Sequence, residues 1–308
     1  MTVTLDEMLV KIKRGQWALA DIDWDAPGAE AIRPEQYEGL KSFMADLVWI
    51  ENIGARGFAA LAKKTDDPTL AEIYRYFHAE EQRHANAELA LMRRWGMLEG
   101  DEVPAPNVNI KLAIKWLDSC ADSTSMSVLG TIIPMLEVAL DGALVKFLLD
   151  EVDDPVCHDV FRKINSDESR HLAVDFQVLD MLGSAPLRKL LVQAGGSLHP
   201  KVLVFGLGMY IPLLNKMRDN IVAMGLPEEK LYTAMNRFNE IGGRSAGTRR
   251  LPMFHVFSTH AKWVVDRGHP YHYLADTLVK VSGVIPGPLQ PKVPSWAKEL
   301  THEPVNAA

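Results

Sequence analysis

Two short stretches hold the residues best suited to chemistry. Residues 66–84 read DDPTLAEIYRYFHAEEQRH and residues 153–171 read DDPVCHDVFRKINSDESRH; aligned without gaps, seven of 19 positions are identical. The identities include Glu81/Glu168, Arg83/Arg170 and His84/His171, so both copies place Glu-x-x-His 13 residues after a proline. On a helix, positions three apart project from one face about one turn from each other. Glu81 with His84, and Glu168 with His171, can each offer an oxygen and an imidazole nitrogen to one cation. A further glutamate precedes each copy in an apolar setting: Glu51 in LVWIENIGA and Glu137 in IIPMLEVAL, 30 and 31 residues before Glu81 and Glu168. A lone ionised carboxylate among Leu, Val, Ile and Met is costly. Four carboxylates and two imidazoles around two divalent cations make an electroneutral site that a core tolerates. One Glu-x-x-His alone is commonplace on a polar helix face. A salt-bridged helical hairpin does not explain why Glu51 and Glu137 stand in apolar stripes.

Helices must bring these residues together. After an acidic, Trp-containing lead-in over residues 1–33, Pro34 opens a helix that runs to about Lys64. Asp67 and Pro68 supply a cap and a first helical residue for a second helix ending near Gly96. A Pro- and Asn-rich linker covers 101–109, and helix-period apolar residues resume over 110–150, with a break at 123–127 and a kink at Pro134. Asp154 and Pro155 repeat the cap-and-proline signal and open a helix to about Leu182. Helical segments follow at about 185–194, 199–224, 227–241, 251–267 and 271–282, then a Pro-rich stretch, PGPLQPKVPSW. No β-alternation competes. The expectation is an all-α fold in one domain, with residues 35–182 as a four-helix core and 183–308 as a C-terminal helical extension packed on it.

Composition narrows the chemistry. The chain has 308 residues, 47% hydrophobic, with a formal charge of −7, which lacks the positive field of a nucleic-acid binder. Its two cysteines, Cys120 and Cys157, form no CxxC pattern, which excludes a disulfide scaffold, a zinc finger and a cysteine-ligated iron–sulfur cluster. Residues 1–15 show no signal-peptide pattern. The apolar run Val202–Leu214, 13 residues long, would span roughly 20 Å as a helix. That falls short of a hydrocarbon core of about 30 Å. A buried helix, a cover over the bundle or a homodimer interface suits it better than membrane contact, and a cytoplasmic protein is expected.

A Glu from each of two helices with Glu-x-x-His from each of two others is the ligand pattern of ferritin-like di-iron proteins. Over residues 35–182 the sequence resembles the ferritin-like di-iron carboxylate oxidoreductases, EEQRH and DESRH being closest in style to the motifs of acyl-carrier-protein desaturases, aldehyde-deformylating oxygenases and the p-aminobenzoate N-oxygenase group. The resemblance implies a ferritin-like four-helix bundle and the metal ligands Glu51, Glu81, His84, Glu137, Glu168 and His171, with Glu81 and Glu137 between the two ions. It implies Asp167 as the acid that hydrogen-bonds a ligand histidine, with Glu80 as its counterpart, and no catalytic residue apart from the ligands. His78, three residues before Glu81, is a further histidine that could support the ligands. The small subunit of ribonucleotide reductase, also similar, carries a tyrosine four residues after its first ligand histidine, where this chain has Glu88. The N-oxygenase group adds a histidine where this chain has Ile164.

The implied cofactor is two iron ions, with Mn/Fe occupancy open to the same donors. The implied activity is that of a non-haem oxidoreductase that uses O2 to hydroxylate, desaturate or N-oxidise a small, partly apolar substrate. No reductase domain accompanies the site, so electrons are expected from an external ferredoxin or flavoprotein reductase. Residues one turn from the ligands are expected to line the substrate pocket: Leu47, Gly54, Ala55, Phe58, Ile133, Leu140 and Leu144, with open volume at Gly54 and Ala55 or, equally, close helix packing there. The rival readings are a ferroxidase or peroxidase without organic substrate, and a helical module whose metal is structural. The basic loop Gly242–Arg250 reads as solvated.

Overall fold

The computed structural model describes residues 3–140, 148–149, 152–197, 213, 215–216, 218–220, 222–223 and 228–295. Every regular element among them is helical. In α1 (Leu5–Arg14) the chain starts with a capping box: the Thr4 hydroxyl accepts the Glu7 N–H while the Glu7 carboxylate accepts the Thr4 N–H. Helices α2 (Pro34–Lys64) and α3 (Pro68–Arg94) are joined by only three residues, so they pack as an antiparallel hairpin. Both begin on a proline, whose missing N–H costs nothing in the first turn. The Asp67 carboxylate caps α3 by accepting the Leu70 N–H at 3.0 Å.

The second half repeats the plan. Helices α4 (Val108–Cys120) and α5 (Met126–Leu140, with Pro134 inside it) lead to α6 (Pro155–Gly183), which Asp154 caps by accepting the Val156 N–H at 2.9 Å. The core pairs α2 with α3, α5 with α6, α2 with α5 and α3 with α6. This is a ferritin-like four-helix bundle with additional C-terminal helices. Helix α1 lies against α3 and α6. After α7 (Leu187–Ser197), helices α8 (Glu229–Arg244) and α9 (Pro252–Val265) pack on α5, and α10 (Pro270–Gly283) packs on α4. Asp46 of α2 ties the layers together, accepting from Asn107 at 2.6 Å and from Asn220 at 2.5 Å. Phe58, Phe77 and Phe161 are wholly buried, each contributing about 1.5–3 kcal/mol by leaving water.

One expectation changes. The lead-in over 1–33 contains a helix, α1, whose apolar residues Leu5, Met8, Leu9 and Ile12 fall at helical spacing, with Met8 and Ile12 buried. Helix α3 stops at Arg94, beside the Gly96 expected to end it, because Gly96 takes φ of +67°, a left-handed conformation that glycine adopts without strain. Leu144 and nearly all of Val202–Leu214 lie outside the described residues, as does the side chain of Leu140. The arginines of the Gly242–Arg250 stretch are solvated as expected, with Arg244, Arg249 and Arg250 exposed, while Gly247 and Thr248 are buried and Asp180 of α6 holds the segment by accepting the Gly247 N–H and the Ser245 hydroxyl.

Candidate metal centre

Helices α2, α3, α5 and α6 each turn one or two candidate donors into the bundle axis. Glu51 comes from α2, Glu81 and His84 from α3, Glu137 from α5, and Glu168 and His171 from α6; all six are buried. Their donor atoms form two overlapping groups, Glu51, Glu81, His84 and Glu168 in one, and Glu81, Glu137, Glu168 and His171 in the other, each within 4.8 Å. His84 Nδ1 stands 3.1 Å from Glu168 Oε1 and 3.4 Å from Glu51 Oε2. His171 Nδ1 stands 3.3 Å from Glu81 Oε1, 3.3 Å from Glu168 Oε2 and 3.7 Å from Glu137 Oε1. Donors bound about 2.1 Å from one ion at right angles are themselves roughly 3 Å apart. These separations match the donor–donor edges that such an ion would have.

The residues fit metal ions on a second count. Glu81 Oε1, both oxygens of Glu137, His84 Nδ1 and His171 Nδ1 are buried without a hydrogen-bond partner. Burial, with Glu51 and Glu168 alongside, pushes the Glu81 carboxyl well above its usual range, and burial also raises Glu137. Divalent cations relieve both penalties by supplying the missing partner and cancelling the like charges. The N/O donor set suits iron or manganese, and no thiolate approaches it.

Outside the donors, each histidine is held by an acid of the opposite repeat. His84 Nε2 lies 3.0 Å from Asp167 Oδ2, and His171 Nε2 lies 2.9 Å from Glu80 Oε2. This fixes Nδ1 as the inward-facing nitrogen of both rings. Arg83 and Arg170 balance the two acids: Arg83 Nη2 is 3.3 Å from Asp167, Arg170 Nη2 is 3.3 Å from Glu80, and Arg170 also binds Asp167. Burial alone would raise the Asp167 carboxyl, but His84, Arg170 and Trp17 hold it well below the usual range. Asp167→Asn is expected to weaken metal binding by roughly 10–100-fold, because the amide can present its N–H₂ to His84 and disturb the ring. Equilibrium metal titration checks this.

The N-terminal segment closes the outer side. Trp17 Nε1 donates to Asp167 at 2.8 Å, Gln16 Nε2 donates to Glu80 at 2.5 Å, and the Arg83 guanidinium sits 4.9 Å from the Trp17 ring centroid. Neither Gln16 nor Trp17 is a candidate from sequence.

All six expected donors and both supporting acids, Asp167 and Glu80, come together. His78 does not join them; it is half-buried, and its Nδ1 lies 2.7 Å from the Ala55 carbonyl, where it ties α3 to α2. Glu81 and Glu168, not Glu81 and Glu137, belong to both donor groups. The reason is position: each shared acid lies one turn before a ligand histidine, between that ring and the opposite one.

Of the two readings at Gly54, close packing holds: a Cβ built there would lie 2.2 Å from Glu81 Oε2, so the glycine makes room for that carboxylate. Ala55 is buried, and Ile133 approaches Gly57 so closely that a Cβ there would be 2.9 Å from its Cδ1. Phe58 and Phe77 pack on His171 with ring centroids at 5.3 and 4.0 Å, and Leu47 is buried in the main core. These residues form a close-packed apolar wall.

No family model matches this chain, and no curated protein matches it. Among solved structures, a point variant of an R2-like ligand-binding oxidase with an aerobically reconstituted Mn/Fe cofactor is similar over 81% of this chain and 93% of that one, at 13% identity and a TM-score of 0.49. In helix order and donor pattern the chain resembles the ferritin-like di-iron carboxylate oxidoreductases.

Proposed function

We propose that this protein is a non-haem di-iron oxidoreductase, with Mn/Fe as the alternative metal pair, that uses O2 to oxidise a small, partly apolar organic substrate. The observation that carries the reading is the pair of overlapping donor groups sharing Glu81 and Glu168 in a dry core. Two reducing ions held side by side supply two electrons to O2 at one place. The chain's residues do the rest. Glu81 and Glu168 would serve both ions, Glu51 with His84 and Glu137 with His171 would complete the two donor sets, and Asp167 and Glu80 hold both rings in one tautomer. Phe58 and Phe77 keep water off the His171 side.

Electrons reach the site from an external ferredoxin or flavoprotein in this reading. The helices over 183–308 belong to the same domain as the 35–182 core, which the packing of α8 and α9 on α5 supports. Among the described residues no helix is long and apolar enough to cross a membrane. The test is anaerobic Fe(II) loading followed by rapid mixing with O2. Two Fe(II) per chain and an optical transient whose decay quickens with a pool of small organic substrates are expected. Release of ferric ion or mineral alone, unaffected by any organic compound, would replace the reading with a ferroxidase.

A further inference from the structure

Away from the metal centre, six cations gather on one side of the C-terminal helices. Arg188 and Lys189 stand in the first turn of α7, Arg237 and Arg244 on α8, and Arg249 and Arg250 in the turn between α8 and α9; all six are exposed. Hydrogen bonds to backbone carbonyls join the three segments into one surface. Arg250 Nη2 donates to the Ala185 carbonyl at 3.3 Å, just before α7, and Arg249 Nη1 donates to the Gly243 carbonyl at 2.8 Å, beside Arg244. Arg237 and Arg244 line one groove of about 480 Å³, with Glu240 between them. Among the described residues none of the six cations is in an ion pair. Asp180, at the edge of this surface, already accepts from Gly247 and Ser245. The positive cluster sits on a chain whose formal charge is −7.

The surface also has an apolar part. Leu187, Leu191 and Val192 of α7 are 65%, 59% and 69% exposed, next to Arg188 and Lys189. Exposed aliphatic side chains rimmed by cations have the make-up of a protein interface. A groove between two arginines takes protruding carboxylates, whereas a flat lipid surface would leave it unfilled. The scaffold beneath is packed: Phe176 of α6, Phe238 of α8 and Phe254 of α9 follow one another with ring centroids 6.0 and 5.4 Å apart. Asp180 follows His171 by nine residues on α6, so the surface begins roughly 14 Å along that helix from the metal centre. An electron crosses such a separation without an intermediate relay.

We propose that the α7–α8 face is the docking surface for a small acidic electron carrier of the iron–sulfur or flavin type. Its carboxylates would meet the six cations, and Leu187, Leu191 and Val192 the apolar part of its contact. Each encounter passes one electron from the reduced carrier, which is oxidised, to a ferric ion of the centre, which becomes ferrous. The inference rests on the oxidoreductase reading of that centre. Charge of this kind chiefly steers encounter, so the association is transient and sensitive to salt.

The experiment mixes the metal-loaded full chain, under anaerobic conditions, with a reduced plant-type [2Fe–2S] ferredoxin and separately with a reduced flavodoxin. Binding of each oxidised carrier is followed in parallel by calorimetry. For at least one carrier, association is expected to slow about tenfold or more as salt rises from about 20 to 200 mM. Arg188, Lys189 and Arg244 make no side-chain hydrogen bond among the described residues. Arg188→Glu/Lys189→Glu/Arg244→Glu is therefore expected to keep the unfolding temperature and both metal ions, yet to slow association about tenfold or more at low salt. Lys11→Glu/Lys63→Glu/Lys115→Glu makes the same change of charge on α1, α2 and α4, and should leave association within about twofold. Equal loss in the two triple variants, or no binding of either carrier, would overturn the proposal. Binding to phosphatidylserine vesicles by a chain that ignores both carriers would overturn it too. Fewer than two metal ions per unmutated chain would instead overturn the reading of the centre, whatever the binding shows.

Discussion

Gly54→Ala is expected to give a folded protein that binds both metal ions roughly a hundredfold more weakly. The new Cβ would lie 2.2 Å from Glu81 Oε2 and 3.0 Å from its Cδ, so the carboxylate must swing away from its place. Glu81 belongs to both donor groups, so both ions suffer. The apo chain does not suffer, because the displaced atoms end a flexible side chain and alanine is the better helix former by about 1 kcal/mol. Unchanged or raised thermal stability with lost metal therefore separates a steric effect on the site from misfolding. Glu81→Ala sets the upper limit, with both ions lost, whereas Glu51→Ala should lose chiefly one. Metal analysis after dialysis reads all three, and two ions retained by Glu81→Ala would refute the shared-donor assignment.

Asp154→Ala is expected to destabilise the fold by about 3–5 kcal/mol in denaturant unfolding, the cost of stripping one partner from a buried ion pair. Asp154 is wholly buried and accepts from Arg94 Nε at 2.9 Å, Trp95 Nε1 at 2.8 Å and the Val156 N–H at 2.9 Å. Its loss leaves the Arg94 guanidinium with only the Trp24 and Ala26 carbonyls, at 2.6 and 2.7 Å. Asp67 occupies the matching place in the first repeat, is half-buried and caps a single N–H at 3.0 Å, so Asp67→Ala should cost only about 1 kcal/mol. The Asp154 effect also has a pH signature. Burial would raise its carboxyl, but the Arg94 and Trp95 hydrogen bonds overcome that and hold it below the usual range. A depressed native value means the stabilisation is complete above the unfolded-state value of about 3.9 and drains as pH falls through the native one. The gap between the unmutated and Asp154→Asn chains should accordingly narrow below about pH 4.

The helices of the bundle were legible because local signals set their ends. Asp-Pro pairs at 67–68 and 154–155 and Pro34 mark starts that the structure keeps. The six candidate donors were legible because a repeat preserves spacing even where packing is unknown. Contacts that depend on distant parts of the chain were not. Trp17 meets Asp167 across 150 residues, and nothing near position 17 specifies an acid there. Which carboxylates belong to both donor groups depends on how far each helix is rotated about its axis, so Glu168 could not be told from Glu137 by spacing. Open space and close packing at Gly54 could not be told apart from sequence, because the Glu81 carboxylate that fills the gap belongs to another helix.

The crossed pairing of His84 with Asp167 and His171 with Glu80 makes neither half of the bundle self-sufficient. Each imidazole is steadied by a clamp rooted in the other hairpin. Prising the halves apart would free both rings to spin and exchange tautomers at once, so shedding the ions and unlatching the hairpins are mechanically a single event.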